Sequence, residues 1–136
     1  MVIQELVMVL KEPELFAFLK EFYYPDLEMS EDRYSKHDCI SRQARLYIEL
    51  KSRNTHYDDL IIEKIKYDSI MEQAGNLACY PQYINSTPEG IWAFDLSTMP
   101  QPECEERWLP AKTEFPNGSN KTKVVGYLHI KDGKKL

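Results

Sequence analysis

The sequence predicts a single α/β domain with a central mixed sheet flanked by helices, in the element order α-β-β-β-α-β-β plus a closing strand. Three features carry that expectation. Arg45 to Arg53, RLYIELKSR, alternates as a strand does, with Tyr47, Glu49, Lys51 and Arg53 on one face and Leu46, Ile48, Leu50 and Ser52 on the other. Apolar residues recur at helical spacing from Glu12 to Tyr23 and again from His56 to about Gln73. Two more strand-like runs follow, Leu77 to Ile84 and Gly90 to Leu96.

In chain order, residues 1–11 suit either a short helix or a strand. Glu12-Pro13-Glu14 reads as a helix start, because proline is tolerated in the first turn and acids complement the dipole. Leu15, Phe16, Phe18, Leu19 and Phe22 form the stripe of that helix, and Pro25 ends it. Asp26 to Asp32 is acidic and turn-like, Tyr34 to Ser41 reads as a strand, and Arg42 to Ala44 as a turn. Asn54, Thr55 and Asp58 resemble the cap of the second helix, with Gly75-Asn76 as its stop. Asn85 to Glu89 is turn-rich, Ser97 to Lys123 reads as a long loop, and Val124 to Lys131 as the last strand. Trp92 and Phe94 alternate as core residues do, leaving Asp95 as a strand-end acid. The single domain, residues 1–136, thus has its core over about 12–96, with a long loop and closing strand in 97–136.

Composition narrows the classes. With 43% hydrophobic and 12% aromatic residues in 136, the chain can bury a core and is not a disordered segment. No apolar run approaches the roughly 18 residues of a membrane span. The first residues lack a basic region and carry Glu5, so no secretory signal is expected. Three cysteines without a CxxC pair fit reduced thiols in an intracellular, cytoplasmic protein. The net charge of −5 does not mark a general nucleic-acid binder, yet five lysines against one aspartate fall between Lys121 and Leu136. That basic end suits phosphate steering or a solubilising tail equally.

The chemistry concentrates on one hairpin. A two-residue loop at Gln43-Ala44 would set Asp38 opposite Glu49, and a four-residue loop would set it opposite Tyr47 on the same face. A three-residue loop would turn it to the other face. Two of three registers therefore gather Asp38, Glu49 and Lys51. Two carboxylates and a strand carbonyl make a hard oxygen site of the kind Mg²⁺ or Mn²⁺ prefers, and the ammonium of Lys51 beside it can act on water or phosphate. Tyr47 and Arg53 share the face and are candidate substrate contacts.

Asp38, followed eleven residues later by Glu49-Leu50-Lys51, resembles the active-site signature of the PD-(D/E)xK nuclease superfamily, which includes restriction endonucleases, Holliday-junction resolvases and phage repair nucleases. The resemblance extends to the order of elements over roughly residues 12 to 96. It implies a restriction endonuclease-like core, Asp38 and Glu49 as metal ligands with the Leu50 backbone carbonyl, and Lys51 as the catalytic lysine. It also implies an acid from the first helix, Glu14 or Glu21 with Glu14 preferred, and a basic residue on the second, Lys64 or Lys66. The literal Pro-Asp falls at Pro25-Asp26, and His37 precedes Asp38, so Asp26 and Asp32 are alternative first ligands.

The expected function is a Mg²⁺- or Mn²⁺-dependent deoxyribonuclease acting in phage or bacterial DNA processing, with RNA as a further substrate class and a homodimer or targeting protein as partner. The alternative is a non-catalytic binding or assembly protein that keeps a nuclease-like fold. The surplus of acids also suits a small inhibitor or DNA mimic.

Overall fold

The computed structural model describes residues 9–30, 38–110 and 120–136. The expected strand positions 34–37, the first eight residues, and the candidates His37 and Asp32 lie outside the described residues. The fold is mixed α/β, with two helices, a six-stranded mixed sheet and a second sheet of three strands.

Helix α1 (Glu12–Phe22) begins where expected, with the Lys11 amide donating to the Glu14 carboxylate and Pro13 in the first turn. It presents Leu15 and Leu19, both fully buried, to the sheet. Each contributes about 1.5–3 kcal/mol by leaving water. A short strand β1 (Glu28–Met29) follows, then β2 (Asp38–Ser41) and β3 (Leu46–Ser52), joined as an antiparallel meander. Asp26, one of the alternative first ligands, braces the hairpin turn instead. Its carboxylate accepts from the Gln43 amide at 2.9 Å and the Ser41 hydroxyl at 2.7 Å, and these bonds hold its pKa below the ordinary carboxylate value.

The second helix departs from the sequence reading. Residues from His56 do not begin a helix; β4 (Asp59–Glu63) comes first, and α2 runs from Lys64 to Asn76. The apolar pattern of Leu60, Ile61 and Ile65 fits either period. The decision falls to long-range pairing of β4 with β8 (Asn120–His129), which buries Leu60 and Ile62 on alternate positions. The helix stop also shifts. Gly75 and Asn76 remain helical, and Ala78 takes the left-handed conformation at φ 53°, with Cys79 and Ala78 amides closing onto Ala74 and Gly75 carbonyls.

Strand β5 (Tyr80–Thr87) then pairs parallel to β3, and β6 (Gly90–Asp95) returns antiparallel. Asn85, Ser86 and Thr87, expected in a turn, lie buried in β5, and the turn is only Pro88-Glu89. Gly90, at φ 142°, takes a backbone conformation that side chains rarely adopt. Asp95 ends β6 as expected and accepts from the Ser97 amide. The loop expected over Ser97 to Lys123 contains a strand, β7 (Glu105–Pro110), paired to β8. It pairs with the very next strand, but its Pro- and Glu-rich flanks conceal it. β9 (Lys134–Lys135) completes the large sheet against β6, giving the order β1-β2-β3-β5-β6-β9, with β4-β8-β7 in the small one.

Both faces of β3 are covered. Leu46, Ile48 and Leu50 pack with Cys39 and Ile84 under α1. Tyr47 packs with Tyr83, Trp92 and Phe94 under α2 and the small sheet, through Tyr67, Ile70, Leu60 and Leu128. No helix among the described residues is long and apolar enough to cross a membrane.

Cys39 sits at the centre of the α1 layer, and burial together with the nearby Asp38 charge pushes its thiol up to about 12. A thiolate is the reactive form. Ellman titration of the native protein is therefore expected to reach Cys79 and Cys104 but not Cys39, which reacts only after denaturation; fast reaction of all three thiols would refute this.

Candidate active site

The register of the hairpin sets the site. Asp38 pairs directly with Glu49, Ile40 with Tyr47, and Ser41 with Leu46. This is the register of a two-residue loop, although the ladder stops at Ser41 and Arg42 to Arg45 form the turn, with Arg45 left-handed at φ 58°. Asp38, Tyr47, Glu49 and Lys51 therefore share the face of the sheet that looks toward α2.

The two carboxylates are inside the protein. Asp38 is 3% exposed and Glu49 5%. The Tyr47 hydroxyl donates to the Asp38 carboxylate, so Tyr47 holds an acid in place from within the core. Glu49 Oε1 lies 3.2 Å from the Lys66 ammonium, while its Oε2 is buried without a hydrogen-bond partner among the described residues. An ionised oxygen in that condition is costly unless a cation or donor completes it. The Arg45 carbonyl and Arg53 amide both bond the β5 side. By the strand alternation, the Leu50 carbonyl faces the β2 side, just past the Asp38–Glu49 pair. Among the described residues no group of three or more His, Cys, Asp or Glu is gathered to hold a metal; the donors present are these two carboxylates and the carbonyl, hard oxygens of the kind a divalent ion takes alongside water.

Beyond Glu49 the face opens into a cleft of about 420 Å³, bounded by β3 and β5 on one side and by β4, β8 and β7 on the other. Lys51 stands in it, exposed on the cleft surface. Desolvation by the cleft walls lowers its pKa below the ordinary lysine value, and the charge of Arg53 adds to this against the pull of Glu12 and Glu63. The folded value lies below the unfolded one, so between the two the unfolded chain binds more protons, and stability rises with pH through that window. Lys51→Met is expected to melt higher than wild type at pH 7, with the gain shrinking as pH nears the ordinary lysine value of 10.5. A lower midpoint at pH 7 in scanning calorimetry would contradict this.

The other sequence candidates are distributed unevenly. Lys66 reaches Glu49 from the first turn of α2 and lines the cleft. Lys64 turns away and pairs with Asp68 one helical turn on, at 2.6 Å. Glu14 caps the start of α1, whereas Glu12 is the α1 acid whose charge bears on Lys51. Arg53 is committed inward: its Nε donates to Asn85 Oδ1 at 2.7 Å, and its Nη2 to the Tyr83 hydroxyl and the Ile61 carbonyl. Tyr47 is buried beneath the site rather than in the cleft.

Two contributors had no local signal. Lys123 of β8 enters the cleft and pairs with Glu63 at 3.0 Å, a proximity created by the β4–β8 pairing. Tyr57, which falls within the helix expected from His56, instead precedes β4 and is 62% exposed on the cleft wall.

Comparisons with protein-family models, with curated proteins and with solved structures gave no match, so the functional reading rests on this geometry.

Proposed function

We propose that the protein is a metal-dependent deoxyribonuclease of the PD-(D/E)xK type, built on a restriction endonuclease-like core. The observation that carries it is the register: Asp38 directly opposite Glu49, with Lys51 two residues on along the same face and open to a cleft. The chain order supports it as well. A helix, a three-strand meander, a second helix and a strand parallel to the motif strand follow one another, with β4 added before the second helix.

Asp38, Glu49 and the Leu50 carbonyl would hold Mg²⁺ or Mn²⁺. A bound ion supplies Lewis-acid polarisation of the phosphate and an acidified water. Tyr47 orients Asp38 through its hydroxyl. Lys66 holds Glu49 in its rotamer, and its ammonium adds positive charge where a phosphate would lie. Lys51, with its lowered pKa, exchanges a proton with water more readily than an ordinary lysine does.

A second reading has its own observation. The Glu49–Lys66 ion pair and the Tyr47–Asp38 hydrogen bond also satisfy much of this polar cluster without a metal, as a binding or assembly protein would need. Calorimetric titration of Mn²⁺, followed by assay on single-stranded, duplex and branched DNA, separates the two. Saturable Mn²⁺ binding with Mn²⁺-dependent cleavage is expected; absence of both in wild-type protein favours the assembly reading.

A further inference from the structure

We propose that the cleft beside Glu49 and Lys51 receives single-stranded DNA, one nucleotide unit seated in it, and excludes intact duplex. This rests on the nuclease reading above and names its substrate class. The volume, about 420 Å³, is in the range that encloses a drug-sized ligand and suits a single nucleotide. A cleft of this volume does not hold a base pair with both of its backbones, so an intact duplex can meet it only at the mouth.

The lining has the chemistry that single strands require: cations for the backbone and an aromatic face for a base. Lys51, Lys66 and Lys123 bring ammonium groups from three different elements. Lys66 and Lys123 pair with the two lining acids, Glu49 and Glu63, which leaves the Lys51 ammonium and the inward-held Arg53 charge as an excess of two positive charges in the lining of a chain whose net charge is −5. The exposed ring of Tyr57, with Ile61 and Leu109 also in the lining, offers a base a stacking surface.

Fluorescence anisotropy in EDTA, at one fixed salt concentration, tests this with a labelled twelve-nucleotide oligothymidylate and a blunt hairpin duplex of similar charge. The oligothymidylate is expected to bind at least about tenfold tighter. Tyr57→Ala should weaken it by about 5- to 150-fold, the range for loss of one stacked base. Trp108→Ala is the control, because Trp108 is also exposed but alternates to the opposite face of β7 from Leu109. Equal or tighter duplex binding, no oligothymidylate binding, or an unaffected Tyr57→Ala variant overturns the proposal. Mn²⁺-dependent cleavage of duplex as fast as of single strands also overturns it, while leaving the nuclease reading standing. Tyr57-dependent binding of single strands with no Mn²⁺-dependent cleavage removes the nuclease reading and keeps the single-strand cleft.

Discussion

Glu49→Gln is expected to abolish Mn²⁺ binding and cleavage while leaving the thermal midpoint within about 4 °C of wild type. Loss of a ligand that touches the ion should cost more than the roughly 10–100-fold typical of residues one shell further out, so a fall of about 10³-fold or more in rate is anticipated. Stability should respond little for a local reason. Glu49 lies opposite a second buried carboxylate, Asp38, and one of its own oxygens has no hydrogen-bond partner among the described residues. Removing its charge relieves repulsion and desolvation, which offsets the loss of the Lys66 ion pair. The Lys66 side chain is 39% exposed and can return to water. A shift of about 4 °C corresponds to about 1 kcal/mol in a domain of this size. Melting curves and rates on the same preparations check both halves. A variant that keeps its Mn²⁺-dependent rate removes Glu49 from the site.

Arg53→Ala is expected to destabilise the protein by about 3 kcal/mol in urea denaturation. Arg53 was a candidate substrate contact in the sequence, and a surface phosphate contact would cost almost no stability. Its guanidinium instead ties three acceptors from β4 and β5 together. Asn85 is fully buried, and the Tyr83 ring is in the core, so truncation leaves both without the donor they share. Burial raises the Tyr83 phenol's pKa, consistent with an interior in which an unmet polar group has no water to fall back on. Arg53→Lys should recover little, because one ammonium cannot reproduce a planar fork that serves three acceptors. An alanine variant that unfolds like wild type but binds DNA more weakly would restore the substrate role.

These two residues also show what was legible in the sequence. The hairpin was readable because its register depends on a short loop and on alternation over nine residues, both local. Glu49, Lys51 and Asp38 therefore fell on one face as expected. The α1 helix was readable for the same reason. What could not be read was that the polar face of β3 is itself covered at Tyr47 and Glu49 and opens only at Lys51, since that depends on β4, β7 and β8. The chain between Asn54 and Glu63 carries helix-compatible spacing and cap-like residues. It becomes a strand only because Leu60 and Ile62 find Leu128 and Gly126 more than sixty residues away. Lys123 and Tyr57 follow from that long-range pairing, and the inward commitment of Arg53 follows from it together with the β3–β5 pairing. Lys66 was found on other grounds, as a basic residue of the second helix, while Lys64, two residues away, faces Asp68.

The parallel pairing of β3 with β5 has a consequence in time. The meander that brings Asp38 to Glu49 closes a loop of a few residues and can form in about 1–10 μs. The β3–β5 ladder must wait for the chain from Arg53 to Cys79 to fold across it, and the β4–β8 ladder for still more distant residues. Such non-local contacts are paired only after larger losses of chain entropy and slow the folding of domains that depend on them. The acid pair is thus assembled early, and the walls that enclose it come last. During refolding, the Asp38–Glu49 hairpin should gain amide-exchange protection before β4 and β8 do.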